Sequence, residues 1–559
     1  MKKTFKRLGA ALLAMAMAVS VLCTGALAED TKTYQITING KSTGHTYEAY
    51  RVFKGDLTKV SDANEGTKAV YSLANIQWDD EVVDSTALLS ALKTDTDLKT
   101  AGKSDFENCT TAEDVANVLS TNTGYTGTDA TKTQKFATLV GKNLKTNATH
   151  TDSTEGATSN NVTSYTVNVP AGYYFIKDKN DSLKNENDKA YTRYILEVVG
   201  PQTVNSKDAV PTLNKTVKGA NNEWGKVNDN QIGDTVEFRV TTSVPDITGY
   251  TNYTYKIDDT MSAGLTSNVK SVDDIQIKVN DQTALDKQYY SVTVDDKNSN
   301  HFTVTVNIKE AISAGVMKSG DTLYTYYSGV LNENANAANN TDKDNNTNSA
   351  KLTYSNDPNG NGTGTTTEKK VYDWTFKIVL DKVDKTAGTT LDGAKFVLSK
   401  SSNLQNLTED NVGQNTFLIS LIKGTDSTYT IAPENAETTT TTKIIEAGNI
   451  NIKGLDAGQD YYLYEITAPN GYNKLNDPVH FKITAQYNEA GSELTQGYPQ
   501  ISVDDGNASA DLTVKVENSS GKLPSTGGMG TTLFYIIGGV LMAGAAVVLV
   551  IKKKRSSAE

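Results

Sequence analysis

The chain has 559 residues and a formal charge of −12, with two cysteines and four histidines. An acidic chain without a basic patch is not a nucleic-acid binder. The histidines (His45, His150, His301, His480) stand far apart in sequence, which argues against a zinc site or a catalytic triad, so no metal and no cofactor are expected.

Lys2, Lys3, Lys6 and Arg7 precede an apolar run over residues 8–22, and Ala26-Leu27-Ala28 is a small-residue cleavage pattern. Residues 1–28 therefore read as a secretory signal peptide. Cys23 falls inside it after Leu22, which is not the small residue that lipid attachment needs. Only Cys109 then remains, so no intrachain disulfide forms. Its setting near a helix start reads as a packed thiol rather than a reactive one.

The length of the exported chain allows three or four domains. In the first, residues 29–205, period-two alternation predicts strands around residues 34–38, 47–53, 165–169, 173–176 and 191–199. Two helical pieces interrupt them. One has Thr110 and Glu113 as a capping box before Val115, Val118 and Leu119; the other carries Phe136, Leu139, Val140 and Leu144 on one face. A second unit, residues 208–357, alternates again through Val236, Phe238 and Val240 and through Phe302, Val304 and Val306. Its Asn-rich stretch at 332–348 reads as a solvated loop. Residues 358–370 read as a Gly-rich linker, and residues 371–520 as a third unit. Many short strands with turn-rich joints give an all-β fold class, tandem immunoglobulin-like β-sandwiches.

In the third unit, strand parity places Lys382 on one face with Phe376, Ile378 and Leu380. It likewise places Asn518 with Leu512, Val514 and Val516, and Glu465 with Tyr461 and Leu463. Three polar side chains thus point into one apolar core. Burying any of them alone costs several kcal/mol. The second unit repeats the pattern with Lys215 between Leu213 and Val217, Asn356 beyond Leu352 and Tyr354, and Asp259 in line with Tyr253, Tyr255 and Ile257. Asp258 competes for the acid and is disfavoured by parity.

The end of the chain reads Leu523-Pro524-Ser525-Thr526-Gly527, then an apolar run at 533–551 and a basic tail at 552–559 opening with Lys552, Lys553, Lys554 and Arg555. The run is long enough to span a bilayer, and the cations fix its end in the cytoplasm. Proline keeps Leu523 extended, so the pentapeptide offers accessible backbone just outside the membrane.

These three parts in this order resemble the LPxTG cell-wall sorting signal of Gram-positive surface proteins. Tyr461-Tyr-Leu463-Tyr-Glu465-Ile-Thr-Ala-Pro469-Asn-Gly-Tyr472 is similar to the E-box of Cna B-type domains, with Ile466 where threonine is usual. The second unit resembles the isopeptide-forming middle domain of fimbrial proteins. Together the resemblance is to the major backbone pilin of sortase-assembled pili.

It implies that a sortase thiolate cuts between Thr526 and Gly527 and that an amine resolves the acyl-enzyme. It implies Lys382–Asn518 and Lys215–Asn356 isopeptide bonds, with Glu465 and Asp259 as the acids that polarise the amides. Lys207, before Pro211, takes the position of the polymerising lysine, although the usual Tyr-Pro before it is missing. Implied partners are pilin-specific and housekeeping sortases, identical subunits in a head-to-tail fibre, minor tip and base pilins, and peptidoglycan. The protein would be a sortase substrate and not a turnover enzyme. The alternative is a wall-anchored adhesin that never polymerises; no DxSxS metal-binding adhesion domain is visible.

Overall fold

Alternating apolar and polar residues fold this chain into three consecutive two-sheet sandwiches followed by one apolar helix. The computed structural model describes residues 32–555 except 41–42, 62–69, 123, 126–130, 161, 181, 184–188, 207–209, 248–249, 359–361, 435, 437–439 and 521–529. The signal peptide, Lys207, and Leu523, Pro524, Thr526 and Gly527 lie outside the described residues.

In the N-domain one sheet runs in the order Gln202–Asn205, Thr33–Gly40, Val162–Pro170, Thr154–Ser159. The other runs Arg193–Val198, Gly172–Asp178, Tyr47–Ser61, Val70–Trp78. Three helices are inserted between Trp78 and Thr151 rather than the expected two, since Ser85–Thr94 also forms, capped by Asp84. The capping box of Ala112–Thr121 is Thr111 with Asp114, one residue beyond the expected pair. This insertion buries its own cluster around Leu88, Leu92, Phe106, Val115 and Phe136. Cys109 is part of that cluster, and burial pushes its thiol up to about 11, the reverse of what a reactive cysteine needs.

The middle domain pairs Leu213–Lys218, Thr235–Ser243, Thr322–Leu331 and Gln276–Val279 in one sheet. Its facing sheet runs Val227–Asp229, Lys369–Trp374, Asn346–Ser355, Tyr255–Met261, Asn298–Val306, Tyr290–Asp295. Two expectations change here. The stretch taken as a linker at 358–370 supplies the strand Thr363–Thr365, and Lys369–Trp374 lies between Val227–Asp229 and Asn346–Ser355. The domain therefore runs to Trp374, not to 357. The stretch taken as a solvated loop at 332–348 ends inside a strand, with Asn346 and Asn348 each about 1% exposed.

The C-domain sets Phe376–Asp384 between Asn449–Leu455 and, in parallel, Thr513–Asn518. Opposite lie Lys395–Ser399, Asp460–Thr467, Val479–Thr484 and Gln500–Val503. Middle and C-terminal domains share one continuous apolar core. Trp374, fully buried at their seam, donates from Nε1 to the Gly491 carbonyl at 3.1 Å. Ile232 N–H reaches the Gly454 carbonyl at 3.0 Å. Gly454 sits at φ +99°, and a Cβ there would lie 2.7 Å from Ile232 Cδ1, so glycine is required on both counts. After the sandwiches, Gly530–Arg555 is a helix that contains an 18-residue stretch of mean hydropathy 2.5 and ends on the four cations.

Candidate functional site

In the C-domain all three expected side chains meet. Lys382 is fully buried, Asn518 is 1% exposed and Glu465 4%. Lys382 and Asn518 lie on adjacent parallel strands, diagonal by two residues because Lys382 pairs with Val516. That diagonal brings Lys382 Nζ to 2.6 Å from Asn518 Oδ1, with a second contact to the Val516 carbonyl at 3.2 Å. Asn518 Nδ2 donates to Glu465 Oε1 and Oε2 at 3.0 and 3.1 Å and to the Asn473 carbonyl at 2.9 Å. Leu475 N–H fixes Glu465 Oε2 at 2.7 Å.

Burial holds the Lys382 amine below its ordinary range, partly offset by the charges of Glu465 and Glu517. An amine biased toward its neutral form thus faces an amide whose nitrogen is held by a carboxyl group. Such a set can form a bond from Lys382 Nζ to Asn518 Cγ and break Cγ–Nδ2. Nδ2 takes up protons in the exchange with Lys382 and Glu465 and leaves as ammonia.

The middle domain brings together two of its three expected residues. Lys215 and Asp259 are both fully buried, and Lys215 Nζ donates to Asp259 Oδ2 and to the Tyr327 hydroxyl. Burial drives the lysine down and the aspartate up, each shift opposed by the other's charge. The direction is the same for both, toward the neutral pair.

Asn356 is not there. Its Nδ2 donates to the Lys189 carbonyl at 3.2 Å, and its own carbonyl accepts from Tyr191 N–H at 2.7 Å. It belongs to the junction with the N-domain. Arg193 of the N-domain also crosses that junction, to the Pro358 carbonyl at 3.3 Å. The amide that does meet the pair is Asn348, whose Nδ2 lies 3.4 Å from the Tyr327 hydroxyl that itself donates to Asp259 Oδ2.

Parity could not separate the two asparagines. Residues 346, 348, 350, 352 and 354 all face inward, and Asn356 continues that register. Position along the strand separates them: eight residues span about 26 Å. Asn348 pairs with Met261, next to Asp259 opposite Ala350. Tyr327 was missed as well; its alternation within Thr322–Leu331 was the available signal. Asp258, the competing acid, instead accepts from Thr303 and Thr353 hydroxyls on the outer face.

Asp259 Oδ1 and Asn348 Oδ1 are buried without hydrogen-bond partners among the described residues. A buried acceptor left open beside an amine and an acid that burial biases toward their neutral forms is poised for reaction rather than satisfied for stability.

Residues 376–496 match SpaA, described as a prealbumin-like fold domain, and residues 515–557 match the LPXTG cell wall anchor motif. The trypsin-resistant surface T6 protein of Streptococcus pyogenes serotype M6 is 23% identical over 401 residues, covering 60% of this chain and 67% of that protein. Among solved structures, the T6 backbone pilin of serotype M6 S. pyogenes aligns over 89% of this chain and 100% of its own, at 15% identity and a TM-score of 0.46. The full-length major pilin SpaD from Corynebacterium diphtheriae aligns over 88% and 99%, at 16% identity and a TM-score of 0.43. The anchor match and the apolar helix after the motif make this a cell-wall-anchored surface protein.

Proposed function

We propose, starting from a Gram-positive backbone pilin held at the cell wall, that the chain is the repeating subunit of a covalent fibre braced by two internal isopeptide bonds. The observation that carries this reading is the repetition of one buried assembly, lysine, amide and acid, in two successive sandwiches: Lys382, Asn518 and Glu465, then Lys215, Asn348 and Asp259. A chain without disulfides that is to bear tension gains from such ties. In the C-domain the tie joins its first strand to its last, so load entering and leaving passes through covalent bonds.

Polymerisation itself is assigned to the sorting motif and to the lysine before the middle domain. Sortase cuts after Thr526, and the Lys207 amine of the next subunit displaces the enzyme thiolate to leave a Thr526–Lys207 amide. Each internal bond forms once, and the acids act only on their own chain, so there is no turnover. A housekeeping sortase would join the last subunit to peptidoglycan, and minor pilins would occupy tip and base.

Tandem mass spectrometry of fibre digested from the wall tests the linkage. A branched peptide joining Thr526 to Lys207 is expected. A branch at another lysine overturns the assignment of Lys207, and the absence of any branched peptide overturns polymerisation.

A further inference from the structure

Composition gave no reason to expect a metal, yet folding brings one histidine against two carboxylates on the N-domain sheet. Glu48, on Tyr47–Ser61, stands directly opposite Asp152 on the short strand Thr151–Asp152. Two carboxylates directly opposite in an antiparallel pair repel each other. His150 lies two residues before Asp152, on the same face. Its Nδ1 is 3.1 Å from the Ala148 carbonyl, which accepts from it, so Nε2 is the ring nitrogen left to serve as a ligand. Nε2 lies 3.6 Å from Glu48 Oε1 and 3.5 Å from Asp152 Oδ1.

These separations decide between two occupants of the gap. A protonated imidazole on a carboxylate closes to about 2.7–2.9 Å. Ligands of a tetrahedral ion bound at about 2.1 Å stand about 3.4 Å apart. The two His150–carboxylate separations match the ligand spacing. The outer atoms of each group are engaged elsewhere, which aims the inner ones. Glu48 Oε2 accepts from the Tyr50 hydroxyl at 2.7 Å and from Lys177 Nζ at 3.0 Å, and Asp152 Oδ2 accepts from Lys179 Nζ at 3.1 Å. The Glu48 side chain is only 8% exposed, and its Oε1 is the oxygen turned to His150. The three ligand atoms lie within 4.8 Å of one another.

We propose that Glu48, His150 and Asp152 bind one divalent first-row transition ion, with Zn²⁺ as its type and solvent in the fourth position. A nitrogen ligand and only two carboxylates disfavour Ca²⁺, which takes six to eight oxygens. Histidine donating its other ring nitrogen to a carbonyl, and carboxylates held by hydrogen bonds, are the outer contacts such a site needs. Lys177 and Lys179 supply part of that orientation, and their charge lowers affinity for the ion. The ion ties the segment returning from the helical insertion to the strand Tyr47–Ser61, a clip within a domain whose single cysteine cannot supply a disulfide.

The test uses untagged full-length chain in mild detergent, stripped with EDTA, and Zn²⁺ alone as the probe. Calorimetric titration is expected to give one equivalent per chain, with Zn²⁺ raising the unfolding temperature of the N-domain transition. His150→Ala is expected to weaken that equivalent at least tenfold and remove the thermal shift. If that variant misfolds by circular dichroism, Asp152→Asn, at a position 45% exposed, carries the same test. Absence of saturable binding, or an equivalent retained by the variants, overturns the site.

Discussion

Replacing Asn348 and Asn356 one at a time separates the two asparagines that alternation could not. The intact mass of residues 29–520 is expected to fall short of the sequence mass by two ammonia losses, about 17 Da each by amide condensation. Asn348→Ala should retain one of them, whereas Asn356→Ala should still lose both. The reverse pattern would return the bond to Asn356. Glu465→Ala should also retain one, because the Asn518 amide nitrogen then loses both Glu465 oxygens and is left with the Asn473 carbonyl, which cannot exchange a proton.

How far these sites were legible depends on the same residues. The C-domain set was readable because the E-box fixes Glu465, and because Lys382 and Asn518 end strands whose other inward residues are all apolar. The middle-domain lysine and acid were readable by parity alone. Its amide was not, since an asparagine-rich run has the composition of a loop, and register along a strand leaves no trace in alternation. His150 with Glu48 was invisible for another reason: the two are 102 positions apart and meet only through strand pairing.

At the scale of elements, the seam between middle and C-terminal domains is built like a core. Strands were legible from alternation, but the boundary was not, because Gly and Asn in residues 358–364 look like a linker even where the chain returns to the sheet. Gly454→Ala should destabilise the joined pair by about 1–3 kcal/mol in chemical denaturation, from overpacking against Ile232 and from the strained φ. An unchanged midpoint would mean that the seam is loose.

The seam also holds acids. Burial, then a hydrogen bond to Asp229 and the charges of Asp229 and Asp234, pushes Asp456 up to about 9; Lys400 opposes weakly. Asp373, buried with one oxygen unpaired among the described residues, is driven well above the carboxylate range. Asn230 donates to its other oxygen at 2.5 Å, and Tyr487 donates to Asp229 at 2.7 Å. Tyr461 and Gln231 complete the surround. An acid whose folded pKa is raised contributes stability that is full below its unfolded value, near 4, and is lost as pH rises through its folded value. The pair should therefore be less stable at pH 8 than at pH 5, by more than about 1 kcal/mol. Asp456→Asn should flatten that slope; a slope unchanged in the variant would remove Asp456 as its source.

For the whole molecule, the proposed ties would act on the unfolded chain. Lys382 and Asn518 are 136 positions apart, and closing a loop of that length penalises the unfolded state by about 4–5 kcal/mol if it behaves as a disulfide does. Lys382→Ala should lower the C-domain melting temperature while leaving the β-sheet circular dichroism similar. An unchanged melting temperature would mean that no bond forms there.

The three-sandwich chain with its anchor was legible at this scale, since signal, alternation, sorting motif and apolar helix are all local patterns. The link from one chain to the next is not, because Lys207 is a single lysine whose role depends on an enzyme. Immunoblotting a boiled wall extract from cells carrying the cognate sortases addresses it directly. Wild type should give a ladder of high mass that resists boiling, and Lys207→Arg, whose guanidinium is not a usable nucleophile, should give monomer still attached to the wall through Thr526. A single monomer band in wild type would contradict the account.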